Sequence, residues 1–370
     1  MVGRERDVSI VAGRSEKSSS APAPLTSVPA ASLPRRDKPG GEDRLCCFPT
    51  ECRYYIERNM KKNERKVGLA LGGGGARGLA HLGVLKVLER EEIPIDFIAG
   101  TSMGAMVGGA YSQLVDIKTL EAKARRYFSE VGVRGEWLNF LGKDGDQRRK
   151  SLFQNLSQFI LKKYISFLTL SRSHLEDQDS LLGPLKIFLE DKNIEEGKIP
   201  FCAVCVDLVS GRELILDRGN MIEAVYASSA IEGVFPPLKK GDRLLADGGP
   251  TSQVPVEAAK KLGAEIVLAV DLPKEIKPER EFKSGLDLIL RAEAIALDKL
   301  KRMTLRYADV VITPEVRSIH WANFTKVEEC IARGEKATER KLPQIRELLE
   351  GKRKPVRELR KRLGELIAGS

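Results

Sequence analysis

The sequence predicts a three-layer α/β/α domain built on a mainly parallel central sheet. Ala264 to Val270 and Ala308 to Ile312 are near-continuous apolar runs, the pattern of strands covered on both faces. Helical stretches intervene from Val254 to Leu262 and from Leu286 to Leu305. Three glycine-bearing fragments complete the case: Gly73-Gly74-Gly75-Ala76-Arg77-Gly78, Gly100-Thr101-Ser102-Met103-Gly104 and Asp247-Gly248-Gly249. Each follows a β-prone run, so each stands where a strand ends, and open α/β sheets place their sites at the carboxyl ends of strands.

The 370 residues divide into one large domain with unrelated ends. Residues 1–65 are rich in Ser, Pro, Ala and charge and cannot bury enough apolar surface to offset ordering, so they read as a disordered tail. They lack the apolar stretch of a secretory signal, and Met60, followed by Lys61-Lys62, offers an alternative start for the domain. The domain itself spans residues 66–350. Residues 351–370 read as a basic amphipathic helix. Val356, Leu359, Leu363 and Ile367 form its stripe beside Arg353, Lys354, Arg357 and Arg360. Such a helix suits an anionic membrane surface, or packs on the domain as an ordinary solvated helix.

The net charge of +10 belongs to these ends. Residues 1–66 hold 14 Lys and Arg against 9 Asp and Glu, and residues 341–370 hold 9 against 4, which leaves the stretch between them close to neutral. Nucleic acid is excluded as a partner, since aromatics do not interleave with the basic residues and no binding motif is present.

Along the domain, Val67 to Leu71 forms the first strand, and Leu79 to Leu88 a helix of apolar period. Gly73 to Gly78 between them matches G-x-G-x-x-G, the dinucleotide-binding pattern, with Asp96 near the spacing of a ribose-binding acid. The detail goes against that reading: Asp96 precedes the strand Phe97-Ile98-Ala99 instead of ending it, and no P-loop lysine follows the glycines. Backbone N–H groups bunched at a helix start hold an oxyanion as readily as a phosphate.

Phe97-Ile98-Ala99 runs into Ser102, and a helix opens from Ala105, so Ser102 occupies a nucleophile elbow. Its bland alternative is a helix cap. An insertion from about Arg134 to Ser180 carries Leu152, Phe153, Leu156, Phe159 and Ile160 at helical spacing, as a lid, an acyl-chain pocket or a pair of core helices. No run in it reaches the roughly 18 apolar residues of a membrane span. Phe201 to Val206 is a strand, on which Cys202 and Cys205 point to opposite faces as reduced core residues of a cytoplasmic protein. Cys46, Cys47 and Cys52 lie in the tail, and no metal site is expected. Arg243 to Ala246 forms a further strand, which delivers Asp247 to a sharp turn.

A serine nucleophile needs a base. The histidines are His81, His174 and His320, and only His320 is late enough for the order Ser, Asp, His of α/β hydrolases. Its surroundings, Ile319-His320-Trp321, show no sign of a site loop. Asp247 acting directly on Ser102 is the simpler nucleophile–base pair.

Taken together, these fragments resemble the patatin-like phospholipase family, of the bacterial type related to the catalytic part of neuropathy target esterase. The likeness covers about Lys66 to Leu349 and includes Val206-Asp207-Leu208, Ala227-Ser228-Ser229-Ala230 and Gly233-Val234-Phe235-Pro236-Pro237. It implies a patatin-like fold with Ser102 as nucleophile, Asp247 as proton acceptor and the amides of Gly73, Gly74 and Gly75 as oxyanion hole. Arg77, Gly78, Gly100, Gly104, Gly248 and Gly249 support these motifs, and no cofactor is implied. Departures fall at Gly72, at Glu232 (where a proline is common) and at Thr251-Ser252-Gln253, close enough to Asp247 to bear on substrate preference. The resemblance implies hydrolysis of (lyso)phospholipid acyl esters through an acyl-serine. The alternatives are transacylation, a silent lipid-binding regulator and, from the glycine loop alone, nucleotide binding.

Overall fold

In the computed structural model, which describes residues 65–134, 177–274, 276, 278–282 and 284–350, β1 (Val67–Leu71) runs through the interior of an eight-stranded sheet with all five residues buried. Parallel neighbours flank it: β2 (Phe97–Thr101) on one side and β7 (Ile266–Val270) on the other. Next outward, again in parallel, come β3 (Phe201–Asp207) beside β2 and β8 (Val310–Ile312) beside β7. The remaining strands run the other way. Both β4 (Arg212–Leu216) and β6 (Arg243–Asp247) pair antiparallel with β3, and β5 (Leu238–Lys240) pairs antiparallel with β6. The sheet is therefore mixed, with a parallel centre as expected and an antiparallel margin.

Side-chain alternation along the strands builds two cores. Leu69, Leu71, Ile98, Phe201 and Leu268 face a thick helical layer. It includes α1 (Ala80–Arg90), α2 (Met103–Leu114), α3 (Ile117–Arg134), α4 (Asp179–Phe188) and α5 (Met221–Ser229). The short α6 (Gly249–Ser252) follows β6 directly. On the opposite face, the small residues Ala70, Ala99, Cys202 and Ala269 let α7 (Val256–Lys261) approach closely through Val256, Ala258 and Ala259. The long α8 (Gly285–Leu305) joins this side through Leu305. Finally α9 (Val327–Glu339) packs on α1 in the thick layer, and α10 (Leu342–Leu349) follows it.

Helix limits differ from expectation where proline or strain intervenes. Pro255 caps α7, so the expected helix from Val254 shortens at its start. The helix after Ser102 begins at Met103, directly at the strained serine, and Gly75–Leu79 forms a 3-10 turn ahead of α1. Cys202, Cys205 and Cys330 are buried free thiols, and burial pushes their pKa values well up. Among the described residues no cluster of His, Cys, Asp and Glu could hold a metal ion, and no helix is long and apolar enough to cross a membrane. Every described residue belongs to one compact unit. The N-terminal tail, most of the 134–180 insertion, His174 and the helix expected over 351–370 lie outside the described residues.

Candidate active site

Two strands of opposite direction meet on one edge of β3. In register, Thr101 at the end of β2 lies opposite Val204, and Asp247 at the end of β6 lies opposite Cys205. Because β6 runs antiparallel, its carboxyl end points back toward the carboxyl end of β2. That register brings Asp247 to Ser102, the residue after Thr101. The sequence alone places both at strand ends; the reversal of β6 is what makes those ends neighbours.

Ser102 has φ 55° and ψ −125°, a conformation that costs a non-glycine residue roughly 1–3 kcal/mol. Its surroundings hold it there. The Ser102 N–H donates to Ser228 Oγ at 3.0 Å, and Ser228 Oγ donates in turn to the Val204 carbonyl at 2.5 Å. Thr101 Oγ1 donates to the Ser252 carbonyl at 2.8 Å, tying the end of β2 to α6. Gly104 permits the close approach of α2 to β1, since a Cβ there would lie 2.1 Å from the Leu71 carbonyl oxygen. The first amides of α2 have no intrahelical acceptor, and the positive end of its dipole faces the elbow.

Asp247 is buried at 6% exposure. Its Oδ1 accepts the Gly249 N–H at 2.7 Å, and its own N–H donates to the Ala230 carbonyl at 3.0 Å. Burial raises the carboxyl pKa to about 6, against the opposing pull of the Ser102 hydroxyl and the Gly249 amide. Ser102 is thus near enough to favour the charged form, yet no hydrogen bond of ordinary geometry reaches Oδ2. One carboxylate oxygen is fixed by the turn, and the other has no hydrogen-bond partner among the described residues. Catalytic pairs without substrate are often this loose.

The glycine loop lies against the same serine. A Cβ on Gly73 would come within 3.3 Å of Ser102 Cβ. The Gly73 N–H, however, donates to the Gln253 carbonyl at 2.9 Å. This corrects the expectation that all three glycines offer amides, because a donor already engaged is not free for an oxyanion. Among the described residues the amides of Gly74 and Gly75 have no acceptor. Gly75 takes φ 56° beneath the Trp321 carbonyl, which also accepts the Ala76 N–H at 2.6 Å. Arg77 is buried and braces the loop by donating from Nη1 to the Pro273 carbonyl at 3.2 Å, its pKa lowered by burial. Gly78 packs on Met103, Gly100 on Ala105 and Gly248 on Val204, so these positions all close around the elbow.

Asp96 stands at the far end of the sheet. Its Oδ2 accepts the Val67 N–H at 2.7 Å, where β1 begins. It anchors a strand start and is remote from the glycine loop, so the loop lacks the ribose-binding acid of a dinucleotide site.

His81 is fully buried, with Nε2 donating to the Gly72 carbonyl at 2.7 Å, and burial lowers its pKa to about 4. The neutral ring supports the glycine loop from beneath. His81→Ala is therefore expected to lower stability by about 1–3 kcal/mol while sparing most of any ester turnover below the shifted melting temperature. Thermal melts and turnover at 15–20 °C check this pair of outcomes. His320 Nδ1 accepts the Ala322 N–H at 3.3 Å.

Sequence reasoning did not single out Ser228 for a role, although it lies in one of the blocks that carry the resemblance. Its function emerges from tertiary contacts with Ser102 and Val204, which no spacing encodes. Trp321 and Gln253 contribute through backbone carbonyls, for which side-chain identity is no signal.

The patatin-like phospholipase family profile matches residues 69–260, just over half of the chain. A patatin-like phospholipase domain-containing protein of Caenorhabditis elegans is 30% identical over 208 residues, covering 56% of this chain and 13% of that protein. The lysophospholipase NTE1 of Kluyveromyces lactis is 32% identical over 206 residues, covering 56% of this chain and 12% of the relative. The matches thus span only about an eighth of these relatives' length. Among solved structures, VipD from Legionella pneumophila aligns with a TM-score of 0.35 at 17% identity, over 78% of this chain and 67% of its own.

Proposed function

Since the chain belongs to the patatin-like phospholipase family, we propose that it is a serine acyl hydrolase acting on phospholipid or lysophospholipid esters. The observation that carries the proposal is the meeting of Ser102 and Asp247 across adjacent register positions of β3. The relatives named as lysophospholipases support the substrate class.

In this reading Asp247 Oδ2 takes the proton of the Ser102 hydroxyl as Oγ attacks the ester carbonyl carbon. The resulting oxyanion is held by the amides of Gly74 and Gly75, at the positive end of α2. Collapse breaks the bond to the alcohol, which leaves with the proton from Asp247 and gives an acyl-Ser102. Water then attacks the acyl carbon and gives its proton to Asp247. The second collapse releases the fatty acid and returns that proton to Ser102 Oγ. Gly248 and Gly249 keep the aspartate turn tight, and Arg77 holds the loop that presents the amides. We place the enzyme in the cytoplasm at the periphery of anionic membranes, with no cofactor.

The test is release of fatty acid from lysophosphatidylcholine and from a short soluble ester by the purified chain. Turnover of both, with no added metal or nucleotide, is expected. Turnover of neither, with saturable binding of lysophospholipid, would favour the silent lipid-binding reading instead.

A further inference from the structure

Helix α8 carries apolar side chains on its outer side as well as toward the core. On the side facing the domain, Lys301 is only 6% exposed, with Nζ 3.0 Å from Asp271 Oδ1 and 3.8 Å from Asp298 Oδ1. The contact with Asp271 is an ion pair, and Asp271 Oδ1 accepts no hydrogen bond among the described residues. On the side facing away, Leu288, Ile289, Ile295 and Met303 are 51–65% exposed. Helical spacing puts these four, with Leu300, on one continuous face. A globular helix normally buries such residues and exposes its lysines, so this face is built to meet something apolar.

Its position and charge identify the occupant. Helix α8 packs against α6, which begins two residues after Asp247. The segment leading into α8 passes the glycine loop: Leu272 lies beside Gly74, and the Pro273 carbonyl receives Arg77. The segment that feeds α8 therefore borders the site. The exposed charges on it, Lys299 and Arg306, are both basic, with Arg302 on one edge and Glu293 on the other. A lipid surface carrying anionic headgroups accepts both the apolar stripe and the cations.

We propose that the outer face of α8 is the interfacial docking surface, seating on anionic phospholipid and presenting the Ser102 site to it. The proposal builds on the hydrolase reading above and moves the membrane contact from the expected C-terminal helix to α8. Ile289 and Ile295 enter the hydrocarbon–headgroup boundary, while Lys299 and Arg306 meet lipid phosphates.

The experiment is co-sedimentation of the full chain with phosphatidylcholine vesicles, with and without phosphatidylglycerol. The double variant Ile289→Asp/Ile295→Asp should bind both vesicle types at least about tenfold more weakly. Lys299→Glu/Arg306→Glu should lose about tenfold on anionic vesicles and little on neutral ones, with its effect shrinking at high salt. Both variants should keep their melting temperature and their turnover of a short soluble ester, because the changed side chains are exposed. Unchanged vesicle binding in both variants overturns the proposal. So does a wild-type dimer that the Ile289→Asp/Ile295→Asp change splits, which would make the face a protein interface. Wild-type vesicle binding lost in the variants, without any ester turnover, upholds the surface and defeats the hydrolase reading alone.

Discussion

Ser102→Ala and Asp247→Asn should each lower kcat on any ester by roughly four orders of magnitude or more, and the double variant should be little worse than either. The reason is structural coupling. Asp247 has no acceptor role without the Ser102 proton, and Ser102 is an ordinary weak nucleophile without a base at hand. The elbow survives both changes: Ser102 is held by its backbone N–H on Ser228, and Asp247 Oδ1 is replaced in Asn by an amide oxygen able to accept from Gly249. KM should move little, since neither change alters the walls that hold substrate. Losses that multiply in the double variant would mean two independent roles. Steady-state kinetics on the soluble ester, with melting curves as a check on folding, separate these outcomes.

On the proposed mechanism, turnover should begin to fall with acid near pH 6, well above the range of an ordinary aspartate. In the proposed mechanism Asp247 works only as the carboxylate, and burial has raised its pKa to about 6. The acid limb of log kcat/KM should therefore fall with unit slope below about pH 6, about 100-fold by pH 4. Glu232 is exposed as a residue, but desolvation of its carboxyl, followed by the charges of Asp247 and Glu293, pushes it up to about 7.

The same shift makes a stability prediction with a fixed sign. Between the unfolded value of 3.8 and about 6, the folded state binds more protons than the unfolded one, so stability falls as pH rises through that window. Above it, the buried carboxylate costs the native state on the order of 2–3 kcal/mol. Asp247→Asn removes the charge and should be more stable than the parent at pH 7.5, with the gain vanishing toward pH 4. An inactive variant that melts higher at neutral pH and equally at pH 4 is the expected signature. Equal melting at both pH values would mean that Asp247 is solvated and unperturbed.

The parallel centre of the sheet was legible because strands covered on both faces lack polar alternation, as in Ile266–Val270. The elbow was legible because Gly100 and Gly104 bracket the one residue that takes a strained φ between them. What stayed hidden was direction. The run from Arg243 to Asp247 reads the same in a parallel or an antiparallel strand, so the sequence could not say that β6 turns back toward Ser102. Engagement of individual amides was equally invisible. Gly73 differs from Gly74 only through the Gln253 carbonyl, a contact 180 residues away along the chain. The exposed apolar face of α8 was hidden for a related reason: apolar spacing predicts a helix, but not that Lys301 is buried against Asp271 while Ile289 and Ile295 stay exposed.

The central claim is that Ser102 is an activated nucleophile with Asp247 as its base, and fluorophosphonate labelling tests it most directly. Intact-mass and peptide analysis should find one adduct, on the peptide containing Ser102, absent in Ser102→Ala. The labelling rate should fall below about pH 6 and drop by orders of magnitude in Asp247→Asn. An adduct on another serine, or labelling of Ser102 at full rate in Asp247→Asn, would contradict the account.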